Sequence, residues 1–347
     1  MNEGGRVTGA AFSRKVGALS LLSKLDMASF HYLRMRGWAW KVVAVLTGAT
    51  CLAQFRPRAE PTGAGSGHYI RIEGGQVVNE DELRTARETA SHSTGTPEWA
   101  NAPEFEKDVF TFARVIFQSD RGGGFGGRFG RYLGWWVDYP DADLNLSFRL
   151  QQVTTIRTDP DARVIRLTDP DVPRYPLLYM EHAGYMRLTE EEVAALRRYL
   201  NSGGALLVND FWGEQEWDGF AGQIARVLPN GKWTELSIDH PIFHCVYDLE
   251  GPMHKLRVPT MQFWNEDGDP NDPNSPLQTV YRGEGWEQMH VQAMLDERGH
   301  LQIVAIHNSD VSDGWEREQE NQTYFNRFSE KTAYPLGINI VVYLMTH

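Results

Sequence analysis

TEEEVAALRRYLNSGGALLVNDFWG, residues 189–213, decides the fold. Thr189 followed three residues on by Glu192 has capping-box spacing, so a helix is expected over Glu190–Leu200. Val193, Leu196 and Leu200 share one face of it. Gly203-Gly204 stops the helix. Ala205–Val208 is then apolar without a break, the composition of a strand buried on both faces inside a parallel sheet. A helix running straight into such a strand is half of a βαβ unit.

Reading outward gives more of the same alternation. Val109–Gln118 is β-rich, and Ala142–Val153 carries Leu146, Leu150 and Val153 on one helical face. Val164–Leu167 and Leu177–Met180 are short apolar strands; Trp217–Val227 is an amphipathic helix ended by Pro229. Strands are expected at Leu277–Tyr281 and Leu301–His307, and a closing helix at Leu336–Met345. Alternating elements of this kind predict an α/β domain over 108–347, a mostly parallel sheet flanked by helices.

Composition narrows the class. Of 347 residues, 41% are hydrophobic and 23% charged, which excludes a collagenous, coiled-coil or wholly disordered chain. A net charge of −12 without a basic block speaks against nucleic-acid binding, which needs Lys and Arg against phosphate. Two cysteines exclude a disulfide scaffold.

The charge is uneven. Residues 1–53 hold seven basic side chains against Glu3 and Asp26, and the uncharged run Val42–Ala53 follows Arg34, Arg36 and Lys41. This is the layout of a secretory signal with cleavage before Gln54, and Met27 and Met35 are alternative starts. A retained anchor or a lipidated Cys51 are the alternatives to cleavage. The expected location is periplasmic or extracellular, with membrane contact only through this segment. Residues 54–107, rich in Gly, Ser, Thr and Pro, read as an extended arm with one helical signal at Asn79–Thr89, where Asn79 and Glu82 have capping-box spacing.

Several blocks together carry a family resemblance. They are Asp138-Tyr139-Pro140-Asp141-Ala142-Asp143-Leu144-Asn145, Glu190–Gly213, Asp239–Leu249, His307-Asn308-Ser309-Asp310 with Asp313-Gly314-Trp315-Glu316, and Leu336–Ile340. They resemble the bacterial family filed as domain of unknown function 4159. The resemblance implies a flavodoxin-like, class I glutamine amidotransferase-like sheet and no established reaction. Those amidotransferases place a Cys nucleophile directly after a strand. The matching strand end here reads Asn209-Asp210-Phe211-Trp212-Gly213, without Cys or Ser, so glutamine hydrolysis is not expected.

Polar residues at strand carboxyl ends are the candidate ligand crevice, because open α/β sheets bind there. They are Asp210 and Trp212 after one strand, Glu181 and His182 after another, and His307 and Asn308 after a third. The competing reading makes Asp210 a cap for the next helix. Trp135, Trp136, Trp212, Trp217 and Trp315 either line a pocket that stacks planar groups or pack the core.

Other motifs weigh less. Asp141-x-Asp143-x-Asn145 starts like a calcium loop, but Leu146 stands where Gly is required, so a helix cap is the better reading. His240 and His244 are split by Pro241, and in an extended chain lie about 13 Å apart, too far for one metal. Cys245 reads as a buried structural thiol. The glycine run 122–130, with Arg121, Arg128 and Arg131, reads as a mobile loop able to cover an anionic ligand. The sequence assigns no cofactor and no metal. Two functions follow: a binding or scaffold domain for a small molecule, saccharide or envelope protein, or a carboxylate- or metal-dependent hydrolase of saccharide or envelope-derived substrates.

Overall fold

The computed structural model describes residues 68–105, 108–120 and 134–347. The sheet strands are β1 (Ala113–Ile116), β2 (Arg163–Arg166), β3 (Leu177–Glu181), β4 (Ala205–Phe211), β5 (Thr234–Glu235), β6 (His290–Leu295) and β7 (Leu301–His307). The longer helices are α1 (Asp141–Val153), α2 (Glu190–Asn201), α3 (Gly213–Val227) and α4 (Tyr334–Thr346). The strands form one seven-stranded sheet in the order β2-β1-β3-β4-β7-β6-β5. The five from β2 to β7 run parallel, while β6 and β5 add an antiparallel edge.

All seven residues of β4 are buried, which is why its sequence has no polar alternation. Thr189 caps α2 through the expected reciprocal box with Glu192. Helices α2 and α3 pack on each other, and α1 packs on α4. A π-helical stretch, Phe325–Ala333, leads into α4.

Some expectations are corrected. Leu277–Tyr281 is not a strand: Gln278 makes only an isolated bridge to Trp264, within a run of loops and short 3-10 turns. The antiparallel strand is instead β6, where His290 and Gln292 alternate with buried Val291 and Ala293. Residues 79–89 hold no α-helix. Asn79 ends a hairpin strand, its side chain accepts from the Asp81 amide, and only Ala86–Glu88 makes a 3-10 turn. Within residues 68–105, Ile72, Val78, Leu83 and Ala86 join the main core. The Val164 amide donates to Arg84 O at 2.8 Å, so this segment covers β2, the edge of the sheet.

Cys245 is exposed rather than buried. Pro241–Phe243 forms a 3-10 turn that buries Ile242 and Phe243 and leaves Cys245 outside, donating to Asn339 O at 3.2 Å. Neither the calcium-loop nor the cap reading holds at the start of α1. Pro140 is the N-cap position; Asp141 accepts from the His92 amide, Asp143 pairs with Arg114, and Asn145 donates to Trp315 O. The signal segment 1–53 and the glycine run 122–130 lie outside the described residues.

Candidate functional site

Between β4 and β7 the pairing slips: Ala305 faces Val208, but His307 faces Phe211, so β4 carries one extra residue. Asp210 lies inside that bulge, with a left-handed φ of 51°. His182 (54°) and Asn308 (62°), just after β3 and β7, share this conformation, as does Asp138 (58°) ahead of α1. Four non-glycine residues held this way near one sheet edge mark an over-determined backbone of the kind found at ligand sites.

A cavity of about 760 Å³ opens at this edge, a size suited to a small molecule. Asp210, Trp212 and His182 lie on its wall, with Asp138, Asp310, Asp313 and Glu73. Asp210 does not cap α3, whose N-cap position is Trp212; its carboxylate instead accepts a 2.6 Å hydrogen bond from Trp212 Nε1. Burial pushes its carboxyl up to about 6, against the pull of Arg282 and the indole. Trp212 is buried beneath two guanidinium groups, Arg282 at 5.1 Å and Arg257 at 5.6 Å from the ring centre. Arg282 also donates to Thr260 Oγ1 at 2.6 Å.

The other three candidates do not line this cavity. Glu181 lies behind the wall, accepting from Ser312 Oγ at 3.0 Å and from the Tyr179 hydroxyl. Burial pushes its carboxyl up to about 8. Asn308 is a structural pin: its amide oxygen accepts from Gly213 N, and its nitrogen donates to Gly285 O and Gln288 O. His307 packs against Phe211 and Trp217, donates to Gly213 O at 3.0 Å, and lines a separate cavity of about 410 Å³ with His290 and Glu287. Burial drives its imidazole down to about 4. Asp210, His182 and His307 therefore do not converge on one point.

Two residues not singled out from sequence organise what lies under the cavity. Arg114, on β1, is fully buried and makes a two-pronged pair with Asp143, Nε at 2.9 Å and Nη2 at 2.5 Å. It also donates to the carbonyls of Trp135 and Val137, which anchors the segment carrying Asp138. Burial opposes its charge, but Asp143 holds the guanidinium above its ordinary value. His92, from the segment read as an arm, bridges Glu73 at 2.8 Å, Asp141 at 3.1 Å and Glu316. Burial opposes this charge too, yet these carboxylates hold the imidazolium up to about 11.

The site is rich in acid. Burial raises Asp138, Asp310 and Glu316 well above the carboxylate range, and like charges on one another add to the effect. Asp138, Asp310, Asp313 and Glu316 all belong to the blocks that carry the family resemblance, but nothing in their spacing showed that they meet. Of the tryptophans, Trp212 faces the cavity; Trp135 and Trp315 are core, donating to Glu80 Oε1 and Ala333 O.

Comparison with curated proteins produced no match. The family model described as domain of unknown function (DUF4159) matches residues 128–345, which takes in β2 to β7, α1 to α3, α4 except its last residue and every cavity residue but Glu73, and the chain belongs to that family.

Proposed function

We propose that this domain is an exported binding module that takes a small hydroxyl-rich molecule, of the saccharide or envelope-fragment kind, in the cavity at the carboxyl edge of the sheet. The observation that carries the reading is Asp210: a buried carboxylate set in a strand bulge, oriented by Trp212 and presented to a cavity of about 760 Å³. Carboxylates accept from ligand hydroxyls, and the Phe263 and Tyr281 side chains on the wall supply apolar surface. The parallel strand order, 2-1-3-4-5 when only parallel strands are counted, supports a flavodoxin-like sheet similar to that of class I glutamine amidotransferases, whose ligands sit at this edge. The strand end Asn209-Asp210-Phe211-Trp212-Gly213 has no Cys or Ser, which supports a role other than glutamine hydrolysis. The basic, then apolar N-terminal segment supports export.

A second reading, carboxylate-dependent hydrolysis of the same class of molecule, is favoured by an Asp210 carboxyl near 6 on the same wall as His182. One experiment separates them. The full chain is screened by thermal shift against mono- and oligosaccharides and envelope glycan fragments, with chromatography of any compound that stabilises it. A stabilising compound recovered intact, with the shift lost in Asp210→Asn, supports binding; its cleavage supports hydrolysis. A panel without any stabilising compound, or a shift that survives Asp210→Asn, overturns the reading. N-terminal sequencing of the native protein tests export, which an intact start upstream of Lys41 in a cytoplasmic fraction would refute.

A further inference from the structure

We propose that Asp138, Asp313 and Glu316 hold a divalent, oxygen-preferring cation at the cavity wall. One carboxylate oxygen from each lies within 4.8 Å of the other two. All three side chains are buried, Asp138 to 3% exposure, Asp313 to 1% and Glu316 to 0%. Asp313 and Glu316 are three residues apart on one short helical turn, Asp313–Glu316, so they share a face.

The decisive atom is Asp138 Oδ2. It is shielded from solvent and has no hydrogen-bond partner among the described residues. Among the described residues, the cations beside this cluster, Arg317 and His92, are already engaged. Arg317 Nε lies 2.9 Å from Asp313 and 2.6 Å from Glu316, and its Nη1 reaches Glu320 at 2.9 Å. His92 serves Glu73, Asp141 and Glu316. Leaving a buried carboxylate unmatched is strongly unfavourable. Protonating Asp138 would remove the charge and still leave Oδ2 without a partner, whereas a cation satisfies both.

An all-carboxylate set selects hard ions such as calcium, manganese or magnesium over zinc or copper. Calcium, magnesium and manganese all take carboxylate oxygens, so each is a candidate for this site. Asp138 and Asp313 also line the 760 Å³ cavity, which leaves the remaining coordination positions facing it. The cation site stands on these carboxylates alone; that ligand hydroxyls complete its coordination rests on the binding reading above.

The test uses the full chain, stripped with EDTA and titrated separately with CaCl2, MgCl2 and MnCl2 by calorimetry and thermal melting. One ion per chain and a raised Tm are expected, with Asp138→Asn and Asp313→Asn each weakening binding by about 10- to 100-fold or more. Circular dichroism checks that the variants fold. If either does not, anomalous density in MnCl2-soaked crystals of the unaltered chain decides: a peak among Asp138, Asp313 and Glu316 supports the site, and its absence there overturns it. Absence of binding by all three ions, or binding unchanged in both folded variants, also overturns it. The probe is the metal alone, so ion binding without any saccharide binding refutes the proposed function and leaves the cation site standing. Saccharide binding without ion binding does the reverse.

Discussion

The indole Nε1 of Trp212 donates to Asp210 Oδ1 at 2.6 Å, two residues back along the same strand end. This bond is possible because Asp210 takes a left-handed φ inside the β4 bulge, which swings its carboxylate toward the cavity side of Trp212. The N-cap residue of α3, Trp212, makes no side-chain cap; the first amide of the helix, Gly213 N, donates instead to Asn308 Oδ1 at 2.8 Å.

Asp210→Asn should therefore leave stability within about 1 kcal/mol, since Asn tolerates the left-handed region and keeps an acceptor for the indole. Asp210→Ala should cost about 2–3 kcal/mol, from the backbone conformation and the lost hydrogen bond together. Urea melts of both variants check the pair, and equal losses would show that the bond contributes nothing.

Arg114→Ala should cost about 3–5 kcal/mol, because it strands Asp143 as an unpaired buried charge and frees two buried carbonyls. Pairing Arg114→Met with Asp143→Leu should recover only part of that loss, as the Trp135 and Val137 carbonyls remain without their donor. Chemical denaturation of the single and double variants measures the difference; complete recovery would contradict the anchoring role.

Gly213→Ala should be destabilising by about 1–3 kcal/mol, with φ at +69° and a new Cβ placed 2.9 Å from the carbonyl oxygens of both Arg282 and Glu284. The same substitution should push away the loop that carries Arg282. Faster hydrogen exchange at the Glu214 amide, which donates to Glu284 O at 2.8 Å, would report that movement.

His307 sets a pH dependence whose sign follows from linkage. Burial lowers its folded value from 6.5 to about 4, so between those pH values the unfolded chain binds a proton that the folded chain does not. This contribution is neutral above about pH 6.5 and erodes stability as pH falls toward 4, by at most about 3 kcal/mol. His307→Gln keeps a donor for Gly213 O and should flatten this part of the profile. Urea melts across that window test it, and an unchanged slope would refute the assignment.

Much of the fold was legible because local patterns and tertiary needs agree. The Thr189–Glu192 box, the Gly203-Gly204 stop and the unbroken apolar run from Ala205 are short-range signals, and the structure has the capped helix and the buried parallel strand they require. The same holds for β7, whose bounds coincide with the apolar run Leu301–His307. Where apolar residues and loop chemistry were mixed, as at Leu277–Tyr281, composition alone suggested a strand that the packing does not form.

The sequence by itself determined that Asp210, Trp212 and His182 would be delivered to a strand's carboxyl end, because a buried strand of known polarity leaves its last polar residues there. Only the tertiary structure decided which of the candidates face one cavity. A one-residue bulge aims Asp210 inward, and aromatic packing turns His307 into a second cavity. It also brought Glu73 and His92 from the N-terminal segment, Asp138 from the turn before α1, and Asp313 and Glu316 from beyond β7 into one acidic cluster. Those side chains are separated by up to 243 positions in sequence, and spacing carries no signal over such distances. Asp138, Asp313 and Glu316 meet because the parallel sheet gathers loops from distant parts of the chain at a single edge, and the N-terminal segment that covers β2 adds Glu73 and His92.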